Sequence, residues 1–476
     1  MFEDERIVQA VNAPTSDFRE VRGRSSVVAF FLGIAIIAAC IFLGHRYVLF
    51  PILALSFLVT LVWRKAPRPW IFLVSILAAS PVALSRQKIE PNLIFALWFV
   101  VFNIRYLFKL PKWIYVTAAL AVLGIFTGAI NWISGDVVRN LVQQGAYAYT
   151  YVIGTFILLP VVYSRMGESQ DHAANLQGLL FCLIIPSTLI LCLTKWFGTP
   201  FNVWEASLRG DQSAGYIMYR LGKAYVNFMR TEVGFIFAAL TCASTAIVVS
   251  QVKRLYRLLG GVCLALNTTL LLVTGSLGSI IACLCGLAAV FYGQFRTVKI
   301  TRVLASATVI ACMLLLIWGL SPGSVKEYLG KHYQARASAG TDQDRFMLWG
   351  RAVEQILDHP EGVGWTVSVG DRVRSVIHNE YLGYAVSYGV TGGLAYASLV
   401  AGLMIYFLQC RKRRTEDHSA LAINLAGLGV VAALAVNSMT DHVASSRWYF
   451  NAIWSVIWYS YFCSRAPQTG TVPKGI

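Results

Sequence analysis

Long apolar runs alternate along the chain with short polar joints, most of them basic. Runs of about 17–21 residues recur from end to end, each long enough to cross a hydrocarbon core. They predict spans near 27–43, 47–63, 70–84, 92–108, 113–133, 147–163 and 175–195. Seven more follow near 231–249, 258–274, 276–293, 301–320, 389–409, 420–437 and 446–463. Two long polar stretches interrupt the alternation, at about 196–230 and 321–388. The expected fold is all-α, a polytopic transmembrane helical bundle of about 14 spans with a helical insertion before the twelfth. Residues 1–26 form a polar tail and 27–320 a bundle with a loop at about 196–230. Residues 321–388 form the larger loop, 389–463 the last spans, and 464–476 a second tail. The first tail lacks an apolar signal-peptide core, so the first span is expected to direct insertion.

Composition agrees: 57% of residues are hydrophobic and only 13% charged. The net charge of +17 comes from residues in short loops rather than from a nucleic-acid-binding arm, which argues against a nucleic-acid partner. With this span count the loops RKAPR (64–68), RYLFKLPK (105–112), KRLYR (253–257), RTVKITR (296–302) and RKRR (411–414) share one side. By the positive-inside rule that side is the cytoplasm, both termini lie there, and the two long polar stretches lie outside. The ten cysteines fall mostly in or at the ends of apolar runs and make no C-x-x-C pair, so they read as small apolar residues. No acidic cluster suits a hard divalent cation, and no cofactor or metal is expected.

Chemistry-capable side chains collect between Thr341 and Gly393. Thr341 with Asp344 reads as a capping box, and Pro360 with Gly362 ends the helix that follows. On a helical wheel Phe346, Trp349, Val353, Ile356 and Leu357 make one apolar stripe. Arg345 lies at its edge, where a packed guanidinium can be aimed at phosphate oxygens, whereas Arg351 points almost the opposite way. An ion pair of Arg345 with Asp342, Asp344 or Asp371 is the alternative. His378 opens a second helical run, with Tyr381, Tyr384 and Tyr388 on a neighbouring face. Wetted on one side and held on the other, its imidazole suits proton transfer, although the position equally suits an interfacial cap. The first outer loop adds Arg209, Arg220, Lys223 and Arg230, facing only Glu205 and Asp211. Arg230, at the membrane boundary, suits an anionic headgroup or simple snorkelling. Thr274-Gly275-Ser276 makes a third outer turn, and Gly389, Gly392 and Gly393 read as close helix packing.

Arg345 with Trp349, HPEGVGW (359–365) and HNEYLGYAVSYGVTGG (378–393) resemble the C-terminal signature of the bacterial O-antigen ligase and O-antigen polymerase superfamily. Ten residues separate His378 from Gly389, similar to the histidine–glycine spacing of the polymerases. The resemblance implies a multi-pass inner-membrane glycosyltransferase with its active site on the periplasmic face. It would take a glycan from undecaprenyl diphosphate without a metal. His378 and Arg345 would be catalytic, and Arg230, Arg220, Arg209, Asn379 and Tyr381 would bind substrate. A flippase and a chain-length regulator are implied as partners beside the lipid-linked donor and acceptor and the bilayer. One position departs from the pattern: Leu277 stands where the family carries an arginine after a serine, and Arg230 is the expected substitute. That departure, the span count and the two outer loops favour a polymerase. The alternatives are a ligase that transfers to lipid A–core or protein, and, in another class, a lipid-linked glycan flippase.

Overall fold

The computed structural model describes residues 103–129, 148–167, 172–196, 216–221, 224–274, 276–295, 342–364, 377–413, 417–440 and 447–465, with a few single positions between them. A 3-10 helix, Ile104–Lys109, leads into α1 (Lys112–Ala129). A π-helix, Ala148–Leu158, runs into α2 (Leu159–Met166), and α3 (His172–Trp196) follows. Strands β1 (Tyr216–Leu221) and β2 (Ala224–Met229) pair antiparallel, and β2 passes directly into α4 (Arg230–Val249). The rest is helical: α5 (Arg254–Thr274), α6 (Leu277–Phe295), α7 (Asp342–Asp358), α8 (Glu380–Arg413), α9 (His418–Thr440) and α10 (Arg447–Cys463).

Each expected span from 113 onward has its helix, apart from 301–320, which lies outside the described residues. So do the spans at 27–43, 47–63 and 70–84. Among the described residues, five helices are long and apolar enough to cross a membrane. The first long loop carries the β1–β2 hairpin, the one sheet among the described residues of an otherwise helical structure. Gly222-Lys223 lies between its strands, a glycine-containing pair of the kind that suits a two-residue hairpin loop.

α9 is the centre of the bundle, packed against α4, α6, α8, α10 and α3. It is apolar all round, as a surrounded helix must be. Lipid is as apolar as a leucine side chain, so close backbone approach drives helix association in a membrane. The α6–α9 crossing shows this: a Cβ on Gly286 would lie 2.6 Å from the Gly429 carbonyl and 2.5 Å from Cys242 Sγ. Cys242 is a small apolar filler there, as the sequence suggested.

The C-terminal motif is organised by a break in α8. Gly389 has φ 71° and ψ −178°, and Tyr388 is also non-helical. A break deprives backbone groups of their helical partners, and buried ones must find others. The turn after α7 supplies them. Val363 N–H donates to the Val386 carbonyl (2.9 Å), Gly364 N–H to that of Ser387 (3.0 Å), and Val390 N–H to that of Pro360 (2.9 Å). Gly362 also has positive φ, and a Cβ there would sit 2.4 Å from Gly389 N. Helix α1 closes the third side: Thr127 Oγ1 donates to the Glu361 carbonyl (3.3 Å), and a Cβ on Gly124 would lie 2.4 Å from the Tyr388 carbonyl. Gly389 is thus a docking notch rather than a helix-packing glycine. Gly392, which a Cβ would bring within 2.5 Å of Tyr388 Cβ, lets the two halves of α8 approach across the break.

The notch makes a paired prediction. Gly389→Ala places a methyl 2.5 Å from the Pro360 carbonyl at positive φ, so it should destabilise the protein by more than about 1 kcal/mol. Gly383→Ala, where nothing lies within 4 Å, should be neutral or stabilise by up to about 1 kcal/mol. Thermal unfolding of both variants in detergent checks the difference in sign.

Candidate functional site

His378 lies just before α8, half-buried, with φ 48°. A left-handed backbone costs a non-glycine residue about 1–2 kcal/mol, so the neighbours must impose it. On one side the Trp349 indole N–H donates to the Ile377 carbonyl (2.9 Å), pinning that residue to α7. On the other, Asn379 is the cap of α8. Its Oδ1 accepts from Leu382 N–H (3.1 Å), and its Nδ2 donates to the Met439 carbonyl at the end of α9 (3.4 Å). The helix therefore begins after His378 rather than at it, and Asn379, not the histidine, is the cap.

Arg345 stands one turn before Trp349 on the half-buried side of α7, and Arg351 is exposed, as the wheel implied. The predicted apolar stripe divides in two. Ala352 is fully buried and packs with Val363 and Val386, with Ile356, Ile377 and Leu382 around them. Phe346, Val353 and Leu357 instead remain exposed. The protein-facing side of α7 thus runs Arg345, Trp349, Ala352, Ile356, and the sequence reading had missed Ala352.

A chain of contacts links the start of α4 to this corner. A Cβ on Gly234, one turn into α4 from Arg230, would lie 2.8–3.0 Å from Ser276, Thr274 and Ser279. A Cβ on Gly278 would touch Thr440 Oγ1 (3.4 Å), next to the Met439 that Asn379 holds. The start of α4, the α5–α6 turn, the end of α9 and the start of α8 therefore meet at one end of the bundle. Within the turn, Thr274 Oγ1 donates to the Leu271 carbonyl (2.6 Å), and the Ser276 and Ser279 hydroxyls share a bond of 2.9 Å. Arg230 opens α4 directly after the hairpin, and Arg220 lies in β1 opposite Tyr225. Arg209 lies outside the described residues.

Tyr381 is turned into the bundle. Its hydroxyl donates to the Ala435 carbonyl (3.4 Å), and its ring meets that of Tyr396 edge-on at 5.3 Å. Tyr396 in turn stacks on Tyr384 and shares a hydroxyl bond of 2.9 Å with Ser438. Sequence reasoning missed Glu380, which is 1% exposed in the first turn of α8. An acidic residue following an asparagine cap is the signal that could have found it, since a carboxylate is stabilised at a helix N-terminus. Asn437 was also missed. Buried near the C-terminal end of α9, its amide nitrogen has no partner among the described residues.

These features define a multi-pass helical membrane protein with the His378 corner at one end of its bundle. Residues 261–397, from α5 to the middle of α8, match the family model described as O-Antigen ligase. The match covers less than a third of the chain and bears out the resemblance to the O-antigen ligase and polymerase superfamily. Members of that family are glycosyltransferase-like enzymes acting on lipid-linked glycans. Comparison with curated proteins gives no match.

Asn379→Ala removes the cap of α8 and the link to α9, and should cost about 0.5–2 kcal/mol of stability. Asn379→Asp keeps an acceptor for Leu382 N–H but loses the donor to Met439, so it should recover most of the cap and none of the link. Unfolding midpoints of the two variants separate these contributions.

Proposed function

We propose that this protein is an inner-membrane polysaccharide polymerase, joining repeat units carried on undecaprenyl diphosphate at the His378 end of the bundle. The observation that carries the reading is His378, held in a strained backbone between two anchored neighbours where α4, α6, α8 and α9 meet. Such pre-set geometry is what a general base requires. His378 accepts the proton of the acceptor hydroxyl as that oxygen attacks the anomeric carbon of the donor glycan. The bond from that carbon to the diphosphate oxygen breaks, and its electron pair leaves with the lipid diphosphate. Arg345 neutralises the charge developing there, with Arg230 in place of the arginine that Leu277 replaces. Arg220 and Arg209 are assigned to binding the anionic donor. We assign Tyr381 to helix packing and Asn379 to fixing the histidine rather than to direct substrate contact. This end faces the periplasm, with both termini in the cytoplasm; the basic joints at 105–112, 253–257 and 411–413, at the far ends of α1, α4 and α8, support that orientation.

Purified protein and a synthetic lipid-linked donor and acceptor test the roles. His378→Ala should bind donor normally yet transfer about 10²–10⁴-fold more slowly, the usual loss on removing a general base. Arg345→Lys keeps the charge but not the two-pronged fork, and should lose donor binding, while Arg351→Lys is silent. Lost donor binding in His378→Ala would make the histidine a diphosphate ligand, and near-normal transfer would make it structural.

The description of the matching family favours a second reading, a ligase that passes finished glycan to lipid A–core or protein. The lipid-linked species that accumulates in cells lacking the protein decides between them. A polymerase leaves a single repeat unit on the carrier, and a ligase leaves long polymer.

A further inference from the structure

Helix α7 has three faces. Arg345, Trp349, Ala352 and Ile356 turn toward α8, while Arg351, Glu354 and Asp358 are exposed and polar. Between these faces runs an exposed apolar edge. Phe346, Gly350, Val353 and Leu357 fall within about 60° on the wheel. Phe346 is 65% exposed, Val353 45% and Leu357 76%. Three large apolar side chains aligned in this way need a cover, because a soluble surface rarely lines them up.

The depth of α7 follows from the notch. The apolar part of α8 beyond the break, Val390 to Cys410, is about 31 Å long at 1.5 Å per residue. A hydrocarbon core is about 30 Å thick. One core boundary therefore falls at the break, and the other at the Arg411-Lys412-Arg413 run. Pro360, two residues after the end of α7, accepts the hydrogen bond from Val390 N–H, so α7 ends at the boundary. The exposed surface around it continues the same character: Val390 and Leu394 on α8, and Leu123 and Phe126 on α1, face outward beside the notch.

We propose that α7 is a membrane-surface helix, with its Phe346–Val353–Leu357 edge resting in the acyl chains of the leaflet at the His378 end. Its polar side, Arg351, Glu354 and Asp358, then faces water, and Arg345 lies at headgroup depth. A lipid-linked substrate would meet this arginine without its carrier chain leaving the bilayer. The placement itself does not depend on the transfer chemistry proposed above.

Nitroxide labels on the full chain in phosphatidylcholine nanodiscs test it, with the labelled parent protein subtracted as background. Phe346→Cys, Val353→Cys and Leu357→Cys should show a severalfold higher ratio of oxygen to nickel-chelate collisions than Arg351→Cys and Glu354→Cys. Leu394→Cys, further into the span, gives the lipid reference. All five sites on α7 are exposed, so labelling should leave the fold intact. A flat ratio along α7 puts the edge in water and overturns the proposal. Low collision rates with both reagents at Val353 and Leu357 mean that protein covers the edge, which also overturns it. Neither readout involves activity, so a failed transfer reading would not be mistaken for a failed placement.

Discussion

The mutual hydrogen bonding of a broken helix and a glycine turn holds the C-terminal motif together. At Gly389 the α8 ladder stops, and the carbonyls freed at Val386 and Ser387 are buried by packing, with no water to turn to. The turn at Pro360–Gly364 meets that demand with three backbone bonds. Both partners need glycine, at Gly362 and Gly389, because the two backbones approach more closely than a Cβ allows. The spacing of HPEGVG ahead of HNEYLGYAVSYG is thus a backbone constraint. Neither glycine has to touch a substrate to be required.

From that joint the position of the histidine follows. The turn fixes the end of α7, α7 fixes Trp349, and Trp349 holds the carbonyl next to His378. On the other flank the Asn379 cap ties the start of α8 to α9. The left-handed backbone at His378 is the residual strain where these two anchors meet, sustained by packing elsewhere. A flexible loop could carry the same side chain, but it would lose orientation each time it moved.

Much of this was legible in the residues. Helix positions from 113 onward follow from the length of the apolar runs, since each helix must cross the same thickness. The split between Arg345 and Arg351 was legible from angular spacing alone. Two features were not. The glycine group at 389–393 reads as ordinary packing, because nothing local distinguishes a packed glycine from one that breaks a helix against a distant turn. The stripe on α7 reads as one core face, because hydrophobicity does not reveal whether protein or another apolar medium covers each side chain. The cap at Asn379 was readable: asparagine before a glutamate and an apolar run is a strong helix start. The histidine beside it drew the reading one residue too early. Of the β1–β2 hairpin the sequence marks only the joint, Gly222-Lys223, because residues 216–229 do not alternate in polarity.

The central position of α9 bears on how the protein is made. Its apolar window is 83% buried, yet among the described residues only α10 follows it. During synthesis, the partners α3, α4, α6 and α8 are already in the membrane before α9 emerges, so they must wait around a vacancy that lipid fills. Insertion of α9 expels that lipid and closes the bundle around it. Because α9 also carries the Met439 carbonyl that Asn379 grips, the histidine corner can be completed only after α9 has joined the helices that precede it. A nascent chain still short of α9 would therefore hold the histidine by one flank alone.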